Sequence, residues 1–129
     1  MDRLYHFDNS RNIVDKLKHD GHITIMQKPE EIYDVAAKLE ALGNETRLQV
    51  FQLLVRAGHA GMPVGALQKT LAVPGSTLSH HISRLVSVGL VHQKRESRSL
   101  ICGADFDAMT GVVGFLTRNC CAMEDTADD

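Results

Sequence analysis

The sequence predicts a mainly α-helical domain with one small β-hairpin, and three observations carry that reading. Apolar residues recur at helical spacing in successive stretches between Pro29 and Asn119, with turn-forming residues between them. Behind Pro74, the residues Leu78, Ile82, Leu85 and Val86 fall at i, i+4, i+7 and i+8, while Ser79, His80, Ser83, Arg84 and Ser87 take the opposite face. Finally, LVHQ and RSLIC read as two short strands joined by the charged segment KRES.

Residues 1–25 form an N-terminal extension of uncertain structure. Ile13, Val14 and Leu17 could line a short amphipathic helix, but no strong cap supports one. His6, His19 and His22 match no compact metal-ligand spacing, have no cysteine nearby, and read as solvated side chains. The domain proper spans residues 26–121. Pro29 with Glu30 and Glu31 marks a helix start, since proline suits the first turn and acids complement the dipole. Ile32, Val35, Ala36, Leu39 and Leu42 then share one face.

Gly43 breaks that helix, and Asn44 is placed to cap the next, which carries Leu48, Phe51, Leu54 and Val55 into the core before Gly58. GHAGMP (58–63) reads as a loop leading into a short helix over VGALQKTL. Pro74 then opens the amphipathic helix at its first position, and Gly89 closes it where a left-handed residue is wanted. After the hairpin, Phe106 to Asn119 forms a last helix with Met109, Val112, Val113 and Leu116 on its apolar face. That face is large for a terminal helix and calls for a dimer partner. Residues 122–129 are an acidic tail expected to be disordered.

A chain of 129 residues with 43% hydrophobic and 23% charged residues is one ordinary globular domain with a modest core. It shows no apolar run of membrane-spanning length and no signal-peptide pattern, so a cytoplasmic location without membrane contact is expected. Three cysteines, an odd number, argue for free thiols or a metal site rather than a disulfide scaffold. The net charge of −2 hides an asymmetry: residues 57–104 carry Lys69, Arg84, Lys94, Arg95 and Arg98 against Glu96 alone. A basic face with an acidic back suits phosphate binding on one side, though a solvated charged surface would read the same.

Two helices joined by a tight turn, the second polar on its outer face, have the shape that enters a major groove. A hairpin rich in Lys and Arg beside them is placed like a wing that reaches phosphates or the minor groove. Paired carboxylates, a phosphate-cradling glycine loop and a Cys-x5-Arg arrangement are absent, so an enzyme is not expected.

On these residues the chain resembles the arsenical-resistance repressor (ArsR) family of dimeric winged helix-turn-helix regulators. LEALGNETRLQVFQLL (39–54), LAVPGSTLSHHISRLVSVGLV (71–91) and HQKRESRSLIC (92–102) carry the resemblance, which covers residues 29–121. It implies a homodimer formed through the first and last helices, bound to double-stranded operator DNA. It also implies that Ser76, Thr77, Ser79 and His80 read DNA, with Lys94, Arg95 and Arg98 in the wing. Arg84, on the same polar face, joins this candidate set.

Many relatives bind metals through two cysteines in the first helix of the helix-turn-helix, or through Asp and His pairs on the last helix. Here PVGALQKTL has no cysteine, and no histidine follows Asp105 and Asp107. Cys102 and the adjacent Cys120 and Cys121 remain, an arrangement similar to a family branch that senses trivalent arsenic or antimony through a C-terminal Cys–Cys pair. The expected inducer is arsenic(III), methylarsenic(III) or antimony(III), with no cofactor required.

Thiolate is the softest ligand in the protein repertoire and suits a thiol-seeking metalloid. Arsenite or antimonite takes three sulfurs; monomethylated arsenic needs two. Zinc wants four N or S ligands, which these cysteines do not supply. The helix between Cys102 and Cys120 would be about 21 Å long at about 1.5 Å per residue. An intersubunit site built from antiparallel last helices is therefore expected, unless the helix ends early and the pair folds back within one chain. Alternatives stay open: Cys102 as a buried small hydrophobe, and thiol redox, sulfide or other metal sensing on the same fold.

Overall fold

Asn44 shows how locally the helices are set. Its side chain accepts a hydrogen bond from the Arg47 amide at 3.0 Å and opens a helix just after Gly43 has ended the previous one. The computed structural model that contains this cap describes residues 29–124. Its helices are α1 (Pro29–Leu42), α2 (Glu45–Ala57), α3 (Val64–Leu71), α4 (Gly75–Ser87) and α5 (Phe106–Thr117). Three strands, β1 (Met62–Pro63), β2 (Val91–Glu96) and β3 (Ser99–Ala104), complete the winged helix-turn-helix. The extension 1–25, with Ile13, Val14, Leu17 and its histidines, lies outside the described residues, as does most of the acidic tail.

Val35–Leu116 forms one unit, and the residues before and after it form a second. In the first, α2 contributes Val50, Phe51 and Leu54, α3 contributes Leu67, and α4 contributes Leu78, Ile82 and Leu85 to a single core. Leu90, Val91, Cys102 and Ala104 close it from the sheet side. Burying such side chains stabilises the fold by about 1.5–3 kcal/mol each. Val86 instead stays at the edge, 36% exposed.

The sheet is antiparallel in the order β1-β3-β2, so β3 is central. Cys102 pairs with Met62 on one side and Gln93 on the other. The segment 58–63 is therefore not simply a loop: a 3₁₀ turn at Gly58–Ala60 delivers Met62 and Pro63 as a third, two-residue strand. The hairpin strands also run further than LVHQ and RSLIC suggest. Lys94 and Arg95 lie within β2, and only Ser97 and Arg98 form the tip, with Ser97 at φ 56°.

Pro74 sits one residue outside α4 as its N-cap, with extended ψ 145°, rather than at the first helical position. Gly89, at φ 85°, ends the same helix as expected. The last helix stops at Thr117, two residues short of Asn119, and opens on a cap in which Asp105 accepts from the Ala108 amide at 2.9 Å.

The apolar stripe of α1 is buried differently from its pattern: Val35, Lys38 and Ala41 are covered, while Ile32, Ala36 and Leu39 stand exposed. On α5, Val112 is buried but Val113 and Leu116 are 56% and 60% exposed. No helix among the described residues is long and apolar enough to cross a membrane.

Candidate nucleic-acid interface and thiol pair

Helix α4 is built to show a polar edge. Leu78, Ile82 and Leu85 bury one face completely or nearly so, which turns Ser76, Thr77, Ser79, His80 and Ser83 outward. These side chains are short or planar, and the backbone of α4 can approach a base edge closely behind them. The wing presents Lys94, Arg95 and Arg98, all exposed. Lys94 bonds Glu96 at 3.0 Å across the same strand; no ion pair between described residues engages Arg95 or Arg98.

Arg84 departs from the other candidates. Its guanidinium is held by Glu40 of α1 and lies 3.5 Å from the Ser87 hydroxyl. Sequence spacing gives no hint of this pair, whose members stand 44 residues apart. Arg47 makes a second tie: its Nε donates to the Ala41 carbonyl at 2.6 Å, and its Nη1 lies 3.2 Å from His81 Nδ1. Beside a guanidinium, that ring nitrogen must accept, so the His81 ring is neutral. Burial first, then the Arg47 charge and the neighbouring His80, hold the His81 pKa below its ordinary value.

His81 carries a pH prediction. Unfolded, it takes a proton near pH 6.5, about the ordinary histidine value, whereas the folded chain resists protonation to lower pH. The unfolded state thus binds more protons in that window, and stability rises with pH. The contribution should be complete above about pH 7 and drain away as pH falls through 6.5 towards the folded value. Urea midpoints of wild type and His81→Gln at pH 5 to 8 should show a shallower acid slope in the variant; parallel slopes would remove His81 as the cause.

The cysteines fall into two environments. Cys102 is fully buried in the core from the central strand, and the Gln93 amide approaches its sulfur at 3.6 Å. Burial raises the pKa of this thiol against the smaller opposite effect of the Gln93 hydrogen bond, so it stays protonated at neutral pH. Cys120 and Cys121 belong to the second unit, in turns beyond α5, and both are exposed. Left-handed Asn119 (φ 60°) and Cys121 (φ 63°) shape the turns, and the two sulfurs lie 3.4 Å apart.

Hydrogen bonding with Cys120, then with Glu124, raises the Cys121 pKa. Within the same unit Arg118 grips Glu31 of α1 through two bonds, at 2.9 and 3.3 Å. Among the described residues, no three His, Cys, Asp or Glu side chains gather as a metal ion would need.

A family model described as a helix-turn-helix domain matches residues 42–94, which takes in α2 to the middle of β2. The nodulation protein NolR of Rhizobium meliloti is 31% identical over 102 residues, covering 79% of this chain and 81% of that protein. An ArsR-like transcriptional regulator from Rhodococcus superposes with a TM-score of 0.63 at 22% identity, over 72% of this chain and 85% of the other. The chain belongs to the ArsR family of winged helix-turn-helix transcriptional regulators.

A homodimeric winged helix-turn-helix DNA-binding domain from Mycobacterium bovis shares the ArsR-family fold at a TM-score of 0.58 and 24% identity, covering 77% and 93% of the two chains. An ArsR-family regulator binds DNA and is not an enzyme.

Proposed function

We propose that this ArsR-family regulator is a homodimeric repressor, released from double-stranded operator DNA when a trivalent arsenical or antimonial binds its cysteine thiols. The observation that carries the inducer is the 3.4 Å approach of two exposed sulfurs at Cys120 and Cys121. The pair can close on a single soft atom without unfolding anything. DNA reading falls to Ser76, Thr77, Ser79 and His80, with Arg95 and Arg98 on phosphates and Lys94 beside them. The exposed apolar residues Ile32, Tyr33 and Leu39 of α1 and Val113 and Leu116 of α5 support the dimer.

Monomethylated arsenic needs two sulfurs and is served by the exposed pair. Arsenite and antimonite need a third, which Cys102, of the same chain or across the dimer, can give only when β3 is uncovered. The buried, protonated state of Cys102 therefore favours the methylated arsenical. Release needs little energy: a tenfold loss of operator affinity is about 1.4 kcal/mol, and the operator must weaken metalloid binding by the same factor.

The test is a fluorescence-anisotropy titration of the protein on its promoter duplex, repeated with methylarsenite, arsenite, antimonite and hydrogen peroxide. Release by methylarsenite at the lowest concentration is expected. Release by peroxide alone would transfer the pair to redox sensing, and indifference to all four would end the thiol-sensor reading. DNA binding itself should weaken steeply with salt.

A further inference from the structure

Two contacts reach α4 from elsewhere in the Val35–Leu116 unit. Glu40 of α1 holds Arg84, and Arg47 of α2 ties the Ala41 carbonyl to His81. Glu40 and Ala41 are neighbours near the end of α1, and His81 and Arg84 are i, i+3 neighbours on one side of α4. Two adjacent positions on one helix thus meet two adjacent positions on the other, once directly and once through a guanidinium.

We propose that Glu40 and Arg84 are positioning residues for DNA reading. Their ion pair, backed by the Arg47–His81 contact, fixes the rotation of α4 about its own axis, and Arg84 makes no phosphate contact of its own. This rests on α4 being the DNA-reading helix. The apolar contacts of Leu78, Ile82 and Leu85 hold α4 against the core, but such contacts are not directional. The ion pair and the Arg47 hydrogen bonds are: His81 stands on the flank of the buried face, and Arg84 on the polar face between Thr77 and His80. Glu40 also draws the Arg84 charge away from the surface offered to phosphate, unlike Arg95 and Arg98.

The pair is largely solvated, with Arg84 36% and Glu40 63% exposed. An exposed pair contributes little to folding, so its removal leaves the fold standing and affects operator reading alone.

Two roles for Arg84 predict opposite results. Operator affinity and its salt dependence are measured for wild type, Glu40→Gln, Arg84→Gln, the double variant, and the charge-swapped Glu40→Arg/Arg84→Glu protein. The operator is the duplex that the wild-type chain selects from a random library. As positioning residues, each single variant weakens binding about fivefold with an unchanged salt slope. The double variant is then no worse than either single, and the charge swap restores most of the affinity.

If Arg84 touches phosphate instead, Glu40→Gln tightens binding and Arg84→Gln lowers the logarithmic salt slope by about 0.9. The charge swap is then the weakest binder of all. That pattern, or wild-type affinity in every variant, overturns the proposal. A wild-type chain that selects no duplex overturns the DNA-reading assignment along with it.

Discussion

Replacing Cys120 or Cys121 by serine should leave operator affinity within about twofold of wild type and abolish release at the methylarsenite concentrations that release the wild-type protein. The two residues lie beyond α5, exposed, and contribute nothing to the buried core, so neither the fold nor α4 depends on them. Capture needs both sulfurs: each As–OH bond is exchanged for an As–S bond, and the two thiol protons leave with the two hydroxyls as water. A serine oxygen is a hard donor and does not replace the second sulfur. Loss of one thiol should shift the releasing concentration at least about a hundredfold, since roughly 2.7 kcal/mol of a two-point grip is enough for that factor.

Cys102→Ser provides the contrast. It places a hydroxyl in the apolar core and should lower stability by about 1–3 kcal/mol while leaving release by methylarsenite in place. Anisotropy titrations of the three variants with the same duplex decide the matter. A Cys120→Ser protein that still releases DNA at wild-type concentrations would mean that the pair is not the ligand set.

Gly61→Ala is expected to be the most damaging single substitution in the sheet. Gly61 has φ 74° and ψ −164°, a region that residues with a Cβ scarcely enter. A Cβ there would stand 2.4 Å from the Cys102 carbonyl oxygen, a backbone atom of the central strand that cannot swing aside. Backbone strain of about 1–3 kcal/mol and the clash act together, so a loss of about 3 kcal/mol or more is expected. Near the midpoint this lowers Tm by about 12–24 °C for a domain of this size. Gly65→Ala, with nothing within 4 Å, should change stability by less than about 1 kcal/mol. Equal Tm values for the two alanine variants, read by differential scanning calorimetry, would show that the approach of Gly61 to β3 is not tight.

The helix-turn-helix is legible in the sequence because its signals are local. The period of Leu78, Ile82 and Leu85, the left-handed Gly89 and the cap at Asn44 each depend on residues within one or two turns. What was not legible depends on partners far along the chain. The α1 stripe is apolar in the sequence, but periodicity does not say what covers it. Val35, Lys38 and Ala41 are buried, whereas Ile32 and Leu39 stay exposed.

Strand β1 escaped because two residues, one of them Pro63, cannot show alternation. The Arg84–Glu40 pair is invisible in the sequence because Glu40, 44 residues earlier, carries no spacing signal towards Arg84. Cys102, which the sequence offers both as a thiol ligand and as a buried small hydrophobe, lies at the centre of the sheet, where burial holds its thiol protonated.

The exposed apolar side chains Ile32 and Leu39 of α1 and Leu116 of α5 have a consequence at the scale of the cell. In the homodimer proposed above, a second copy would lie over them, and part of what keeps each molecule folded would be supplied by its twin. Gene dosage then acts twice: fewer copies occupy fewer promoters, and each survivor is also more exposed to proteolytic clearance. The homodimeric repressor proposed above would turn a modest fall in synthesis into a sharper fall in promoter occupancy.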